Sequence, residues 1–269
     1  MDKILTDTSE ASMTAAFELN LFSMFQLFKQ WPQAEVHDTP EILWSITKIP
    51  FPIFNSVLRP SLPDGRVDAV IDSILAEYNA RKVPMMWWVG PSAQPADLGT
   101  ILLKRGLQFS VSPGMAADLA ALPESYVLPE DLQIRKVANE TELAIYCRVL
   151  CGVFGMPDFV ADAFCDFFLN LGFDSPFINY IGLIDNEIVA TSSVCLGGGV
   201  AGVYNVATLE SARGKGIGSA MTAFPLLEAR SDGYRIAALE SSESGYSVYQ
   251  KLGFQEYCKI AHYVWSGDQ

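Results

Sequence analysis

A glycine-rich segment with two basic residues, R-G-K-G-I-G-S at residues 213–219, has the composition of an anion-binding loop. A β-branched run that predicts a strand precedes it, and a segment that predicts a helix follows it. Glycines let the backbone curve around a ligand, and the free N–H groups of a helix N-terminus attract negative charge. Arg213 and Lys215 add positive charge in an otherwise acidic chain. This favours an anion-binding loop over the alternative, a merely flexible connection.

A second glycine-rich segment, G-G-G-V-A-G at residues 197–202, matches the dinucleotide-binding pattern G-x-G-x-x-G. That pattern binds pyrophosphate only where its glycines open a helix. Here V-Y-N-V-A-T follows, which is typical of a strand. The surrounding residues 188–209 carry no charge and are numerous enough to span a bilayer, but their glycines and β-branched residues indicate two strands and a turn. We therefore predict a hairpin.

The elements that must position the loop are predicted over residues 131–265. Periodicity and turn residues give a strand, two helices, three strands, a helix, a strand, a helix and a last strand. The helices are predicted at 140–153, 157–169, 217–230 and 244–252, and the inner strands at 177–184, 188–196, 200–209 and 235–240. This order predicts a mixed α/β fold.

The first half of the chain predicts a separate domain. An amphipathic helix is indicated by the apolar spacing from Val67 to Tyr78. Residues 120–130 have two prolines and no periodicity, so we predict domains at 1–125 and 131–269. Residues 85–109 and 235–256 each suggest a strand, a helix and a second strand, with a glycine after the helix. Although such a unit is common by chance, this favours two tandem domains of similar plan.

Composition limits the class of partner. With 18 basic against 31 acidic residues, the net charge is −13. Nucleic-acid affinity depends mostly on Lys and Arg, so nucleic acid is not an expected partner. No apolar segment opens the chain, so we expect no secretory signal and no membrane association, and a cytoplasmic location.

The cysteines are predicted to be reduced thiols. Their number is five, and no C-x-x-C pair is present. Cys147 and Cys151 lie one helical turn apart and could hold half of a metal site. His37 and His262 are not placed to complete it, so we expect core packing there and no metal.

Two segments together resemble a known family. Arg213–Gly218 fits the R/Q-x-x-G-x-G/A motif of the GNAT acyl-CoA N-acetyltransferases. Residues 249–254, Y-Q-K-L-G-F, are similar to that family's other recurrent segment and lie at its usual distance. With the order of elements, the resemblance covers residues 131–265. The first half resembles only the fold plan and lacks the glycine loop, which implies a degenerate GNAT-like domain.

The resemblance implies acetyl-CoA as co-substrate. The strand Val200–Thr208 would splay from the strand at 235–240, and the pantetheine arm would pair with it as an added strand. The loop would hold the pyrophosphate. Ser242 stands where the family often has an Asn. The implied cofactor-binding residues are Val206, Ala207, Thr208, Arg213, Gly214, Lys215, Gly216, Ile217, Gly218, Ser219 and Ser242.

Acetyl transfer to an amine needs a neutral nucleophile, an oxyanion stabiliser and a proton for the departing thiolate. Tyr249 is the candidate acid, with a core tyrosine as the alternative. Glu210, Glu240 and Glu243 flank the expected cleft as candidate bases, although such glutamates are usually solvated. We expect N-acetyl transfer to a primary amine of a small molecule. The alternative is a non-catalytic acyl-CoA-binding or protein-interaction module.

Overall fold

The computed structural model describes residues 3–124 and 126–267, and within them the chain forms seven α-helices and eleven β-strands. The helices are α1 (Glu10–Gln26), α2 (Val67–Arg81), α3 (Leu98–Lys104), α4 (Glu140–Val153), α5 (Asp158–Leu171), α6 (Ile217–Ser231) and α7 (Tyr246–Lys251). The strands are β1 (Glu35–Asp38), β2 (Leu43–Ile46), β3 (Ser56–Leu58), β4 (Met85–Val89), β5 (Gln108–Asp118), β6 (Gln133–Lys136), β7 (Phe177–Ile184), β8 (Glu187–Gly197), β9 (Val200–Thr208), β10 (Ile236–Glu240) and β11 (Gln255–Trp265). From β6 onward this is the predicted order, and a mixed α/β fold is confirmed.

One compact unit comprises Met1–Met24 and Gly114–Tyr257, as far as they are described. Its strands are ordered β5-β10-β9-β8-β7-β6. Only β9 and β10 are parallel, because α6 connects them, while the other neighbours are antiparallel. The apolar face of α6 packs on this sheet and buries Ile217, Met221 and Leu226. The sheet and α6 thus form the core that supports the glycine loop.

Helix α1 explains the predicted hairpin between β8 and β9. The turn contains Gly198 and Gly199, both at positive φ, as a tight hairpin requires. Asn20 of α1 is fully buried, and its Nδ2 lies 2.8–2.9 Å from the carbonyl oxygens of Cys195, Gly197 and Val200. These three carbonyl groups belong to the hairpin. The G-G-G-V-A-G segment is therefore a docking surface for α1, and the predicted hairpin is confirmed.

The second compact unit comprises Phe25–Pro113 and Cys258–Gln269, as far as they are described. Here β1, β2 and β3 are successively antiparallel, β3 and β4 are parallel around α2, and β4 pairs antiparallel with β11. The predicted amphipathic helix is α2, which buries Ile71, Ile74 and Tyr78. The Tyr78 hydroxyl donates to the Ser45 carbonyl at 2.7 Å. In both units, antiparallel strands are followed by one parallel pair that a helix connects and then by one more antiparallel strand. Each unit has its own hydrophobic core.

The compact units do not follow the predicted domain segments 1–125 and 131–269. β5 follows α3 in the sequence, but its residues 114–118 pair with β10. β11 follows α7, but its residues 261–265 pair with β4. Helix α1 adds a further segment from the first half of the chain to the unit built around β9. Each unit therefore includes strands from both halves of the sequence, which local composition does not reveal.

The five cysteines are free, and Cys147 and Cys151 are buried in the packing of α4, as predicted. In the described ranges, no group of three or more His, Cys, Asp or Glu residues is arranged to hold a metal ion. No described helix is both long enough and apolar enough to cross a membrane.

Candidate functional site

Strands β9 and β10 separate at the centre of the first unit. They pair only through residues 201–203 and 237–239. Beyond this point Ser193 of β8 lies opposite Tyr204, whereas Thr191 lies opposite Ala207, so β9 carries one extra residue. Such a β-bulge bends the strand, which opens a gap beside residues 204–208. Asn205 lies in the bulge at φ +57, a conformation that Asn adopts more readily than most residues.

The gap exposes one edge of β9. The Leu209 N–H donates to the Val189 carbonyl at 2.9 Å, toward β8. In a strand the N–H and C=O groups of successive residues point to opposite sides. Because those of Leu209 point toward β8, those of Val206 and Thr208 point into the gap. The Thr208 carbonyl accepts a hydrogen bond from Arg213 Nε at 3.1 Å. Val206 is therefore the residue whose N–H and C=O are most available to an added strand.

A cavity of about 740 Å³ lies between this edge, the glycine loop, the start of α6 and the face of α7. Eleven of the residues predicted for the site line it: Val206, Ala207, Thr208, Arg213, Gly214, Gly216, Ile217, Gly218, Ser219, Ser242 and Tyr249. Sequence reasoning missed Val153, Phe154, Ala212, Ser244, Gly245, Val248 and Lys251, which also line it. The separate sequence motifs thus meet in one cleft.

The start of α6 has the geometry of an anion site. Gly216 stands at the N-cap with φ +78 and provides no side chain to cap the helix. The Ala220 N–H bonds the Gly216 carbonyl at 3.1 Å. In the described part of the chain, the N–H groups of Ile217, Gly218 and Ser219 have no hydrogen-bond partner. Three N–H groups and the positive end of the helix dipole are therefore available at the cavity.

Gly218 is a glycine that the fold itself does not need. Its backbone is helical and does not have a positive φ. A Cβ added there would come no closer than 3.9 Å to a heavy atom, Thr208 Oγ1. Glycine in a helix costs about 1 kcal/mol relative to alanine. The absence of a side chain instead keeps the cavity open beside the free N–H groups.

Two basic side chains line the cavity. Arg213 and Lys251 line it, whereas Lys215 is exposed and lies outside the lining. None of the three forms an ion pair with a described acidic residue. Lys251 could have been noticed in the sequence because it follows Tyr249 by two positions in Y-Q-K-L-G-F.

Tyr249 lies both in the hydrophobic core and at the cavity, the two positions that the sequence left open. Its ring packs against Phe254 at a centroid distance of 6.0 Å and belongs to the buried core, with 9% of the residue exposed. It also lines the cavity. Burial raises the pKa of Tyr249 to about 12, so the hydroxyl stays protonated at neutral pH. Among the described residues the hydroxyl has no hydrogen-bond partner.

The three candidate glutamates do not line the cavity. Glu210 lies in an exposed turn at Glu210–Ala212, and Glu243 is exposed after β10. Glu240 ends β10 and is half-buried. Leu239 packs toward α6, so Glu240 points to the other face of the sheet. There burial raises the pKa of Tyr204, and Cys195 and the charge of Glu240 add smaller contributions. Ser242 lines the cavity, but its Oγ accepts from the Gly245 N–H at 3.1 Å and helps to start α7.

Residues 177–256 match the family model described as an acetyltransferase (GNAT) domain. The match runs from β7 into β11 and includes both motifs that line the cavity. This segment is a GNAT domain. No curated protein matches the chain in a sequence search.

Solved structures extend the similarity to nearly the whole chain. A GCN5-related N-acetyltransferase from Kribbella flavida is 18% identical, with 93% of this chain and 96% of that chain covered and a TM-score of 0.71. A GCN5-related N-acetyltransferase from Sphaerobacter thermophilus is 14% identical, with 98% of each chain covered and a TM-score of 0.62. A tandem GNAT protein from the clavulanic acid biosynthesis pathway is 10% identical, with 99% and 98% covered and a TM-score of 0.64. The GNAT domain therefore stands in a chain with a GNAT fold, as predicted.

Proposed function

We propose that this chain is an N-acetyltransferase that transfers the acetyl group of acetyl-CoA to a primary amine of a small molecule in the cytoplasm. The observation that carries the proposal is Gly218, a helical glycine whose missing side chain serves neither the backbone nor the packing. A ligand that approaches the start of α6 closely would explain it. Phosphate is the natural ligand of uncapped N–H groups at a helix N-terminus.

The cleft offers a separate place for each part of coenzyme A. The N–H groups of residues 217–219 would bind the pyrophosphate, with Arg213 and Lys251 adding charge. The open backbone of Val206 would pair with the amides of the pantetheine arm, which would lie along β9 as an added strand. The thioester would then lie near Tyr249, on the far side of the cleft.

Transfer requires the amine nitrogen to attack the thioester carbon and displace the thiolate. A backbone N–H group on the open edge of β9 would stabilise the oxyanion that forms. Tyr249 would then give its proton to the departing sulfur. A protein-bound phenol of pKa about 12 is a much weaker acid than a thiol of pKa ~8.5, so complete transfer of its proton to the free thiolate after C–S cleavage would be uphill by about 5 kcal/mol. Proton transfer concerted with C–S cleavage would avoid a free thiolate intermediate, and the phenolate of Tyr249 would then regain a proton from water.

The amine must lose a proton to a base or to a water chain. Glu240 does not line the cavity, but it is the candidate we prefer because it is half-buried at the point where β10 leaves β9. Glu210 and Glu243 are exposed and would act only through water. The net charge of −13 would favour a cationic amine over an acidic acceptor.

The test uses two helical glycines that packing leaves equally unconstrained. A Cβ on Gly152 of α4 or on Gly218 of α6 meets little or nothing within 4 Å, so Gly152→Ala and Gly218→Ala should each stabilise the protein by up to about 1 kcal/mol. Only Gly218→Ala should weaken acetyl-CoA binding, by about tenfold or more, when calorimetry is compared with thermal melting.

Two results would count against the proposal. Equal acetyl-CoA affinity in both variants would remove the start of α6 from the binding site. Binding of acetyl-CoA without thiol release, across a panel of amines, would favour the alternative of a non-catalytic acyl-CoA-binding module.

A further inference from the structure

A buried hydrogen-bond network surrounds the bulge of β9 on the sheet face opposite α6. Tyr146 of α4 and Ser193 of β8 are fully buried, and their hydroxyl oxygens lie 2.6 Å apart. Ser193 Oγ donates to Asn179 Oδ1 at 2.7 Å. Asn205 Nδ2 donates to Ser193 Oγ at 3.1 Å. The bulge residue is thus bonded through Ser193 to a helix on the far side of the sheet from the glycine loop.

The direction of each hydrogen bond follows from the chemistry of the groups. Asn179 Oδ1 can only accept, so it takes the single proton of the Ser193 hydroxyl. Tyr146 must then be the donor to Ser193. Burial raises the pKa of Tyr146, which keeps this donor protonated.

The backbone of Asn205 is held as well. Its carbonyl accepts from Thr191 Oγ1 at 2.9 Å, and its φ is +57. A residue other than glycine in this region is strained unless its surroundings fix it. Because the strand period is two, loss of the extra residue would exchange the backbone groups that face the gap with those that face β8. The availability of Val206 to a ligand depends on the bulge.

We propose that Tyr146, Ser193 and Asn205 are positioning residues that fix the bulge and thereby direct the backbone of Val206 and Thr208 into the cleft. None of the three lines the cavity, so they act through the strand and do not touch the ligand. The inference rests on the proposed function, since the pantetheine arm is the group that this edge would bind.

The experiment separates the two ends of the coenzyme. Coenzyme A carries the pantetheine arm, and adenosine 3′,5′-bisphosphate lacks it. We expect Asn205→Ala to weaken coenzyme A binding about tenfold, because strain and lost hydrogen bonds both act on the edge, and to leave the bisphosphate within about twofold. Tyr146→Phe removes only one donor and should cost about threefold to fivefold for coenzyme A alone.

Two further variants complete the design. Asn205→Gly tolerates the positive φ but lacks the amide, so its loss should be smaller than that of Asn205→Ala. Asn186, at φ +65 in the β7–β8 turn, is the matched control, and Asn186→Ala should not change either affinity.

Three outcomes would overturn the inference: an equal loss for both probes, no loss in Asn205→Ala and Tyr146→Phe, or the same loss in Asn186→Ala. Tyr146→Phe keeps the ring in place and decides the question if Asn205→Ala does not fold. Failure of the unaltered protein to bind coenzyme A would instead reject the proposed function.

Discussion

Two glycine-rich segments of the GNAT domain look alike in the sequence and have opposite roles in the structure. Gly202 in β9 and Gly218 in α6 both have backbone conformations open to any residue. A Cβ on Gly202 would overlap the Asn20 amide and lie 2.9 Å from the Tyr204 ring. A Cβ on Gly218 would meet nothing closer than 3.9 Å. Gly202 has no side chain because Asn20 and Tyr204 occupy that space. Beside Gly218 the space is open, and no described residue fills it.

The difference shows how to judge a glycine motif. A side chain at any of the hairpin glycines would collide with other protein atoms, so packing explains why these positions hold glycine. The cavity beside Gly218 is lined by N–H groups without a described partner and by two basic side chains that form no ion pair with a described acidic residue, which packing does not explain. A match to a phosphate-binding pattern is informative only when the space that its glycines leave is open and lined by donors.

The largest effect is expected at the hairpin. Gly202→Ala forces the Cβ into the buried Asn20, which holds three carbonyl groups and accepts from the Tyr204 hydroxyl at 2.7 Å. Overpacking and broken buried hydrogen bonds should lower the free energy of unfolding by about 3–5 kcal/mol, measured by urea denaturation. The molecules that remain folded should bind acetyl-CoA normally. An unchanged urea midpoint would show that α1 does not need this glycine.

A smaller effect is expected at Tyr249 of α7. Tyr249→Phe keeps the ring packing and removes the hydroxyl, so kcat should fall about 10²-fold while the melting temperature and acetyl-CoA affinity barely change. Because burial raises the pKa of Tyr249 to about 12, its protonated form persists as pH rises to about 10. Its ionisation should therefore produce no loss of rate below that pH. Full kcat in the variant would assign Tyr249 to the core alone.

The smallest effect is expected for the basic side chains that line the cavity. Lys251→Gln and Arg213→Gln should each weaken acetyl-CoA binding a few-fold, because exposed charge pairs contribute about 0.2–1 kcal/mol, and should reduce its dependence on salt. Lys215→Gln is the matched control, since Lys215 lies outside the cavity lining. An equal effect of all three variants in calorimetry would indicate general attraction and no defined phosphate contact.

Much of residues 131–265 could be predicted from local sequence. The periodicity of the segments gave α4, α6 and the strands β7 to β9 within about two residues. Turn chemistry separated the hairpin at 197–202 from the loop at 213–219. Both predictions depend on interactions within a few residues of the chain, which composition and spacing record directly.

Only the tertiary structure decided the arrangement of distant segments. Residues far apart in the sequence meet where β5 pairs with β10 and where β11 pairs with β4. The same holds for the docking of Asn20 on the hairpin and for the hydrogen bond from Tyr146 to Ser193. The positive φ of Asn205 depends on such contacts, and so does the position of Glu240 outside the cavity. Local propensity determines which elements form. Which side chains then meet depends on the pairing of strands across the whole chain, because the free energy of that pairing comes from surfaces buried together and not from neighbours in sequence.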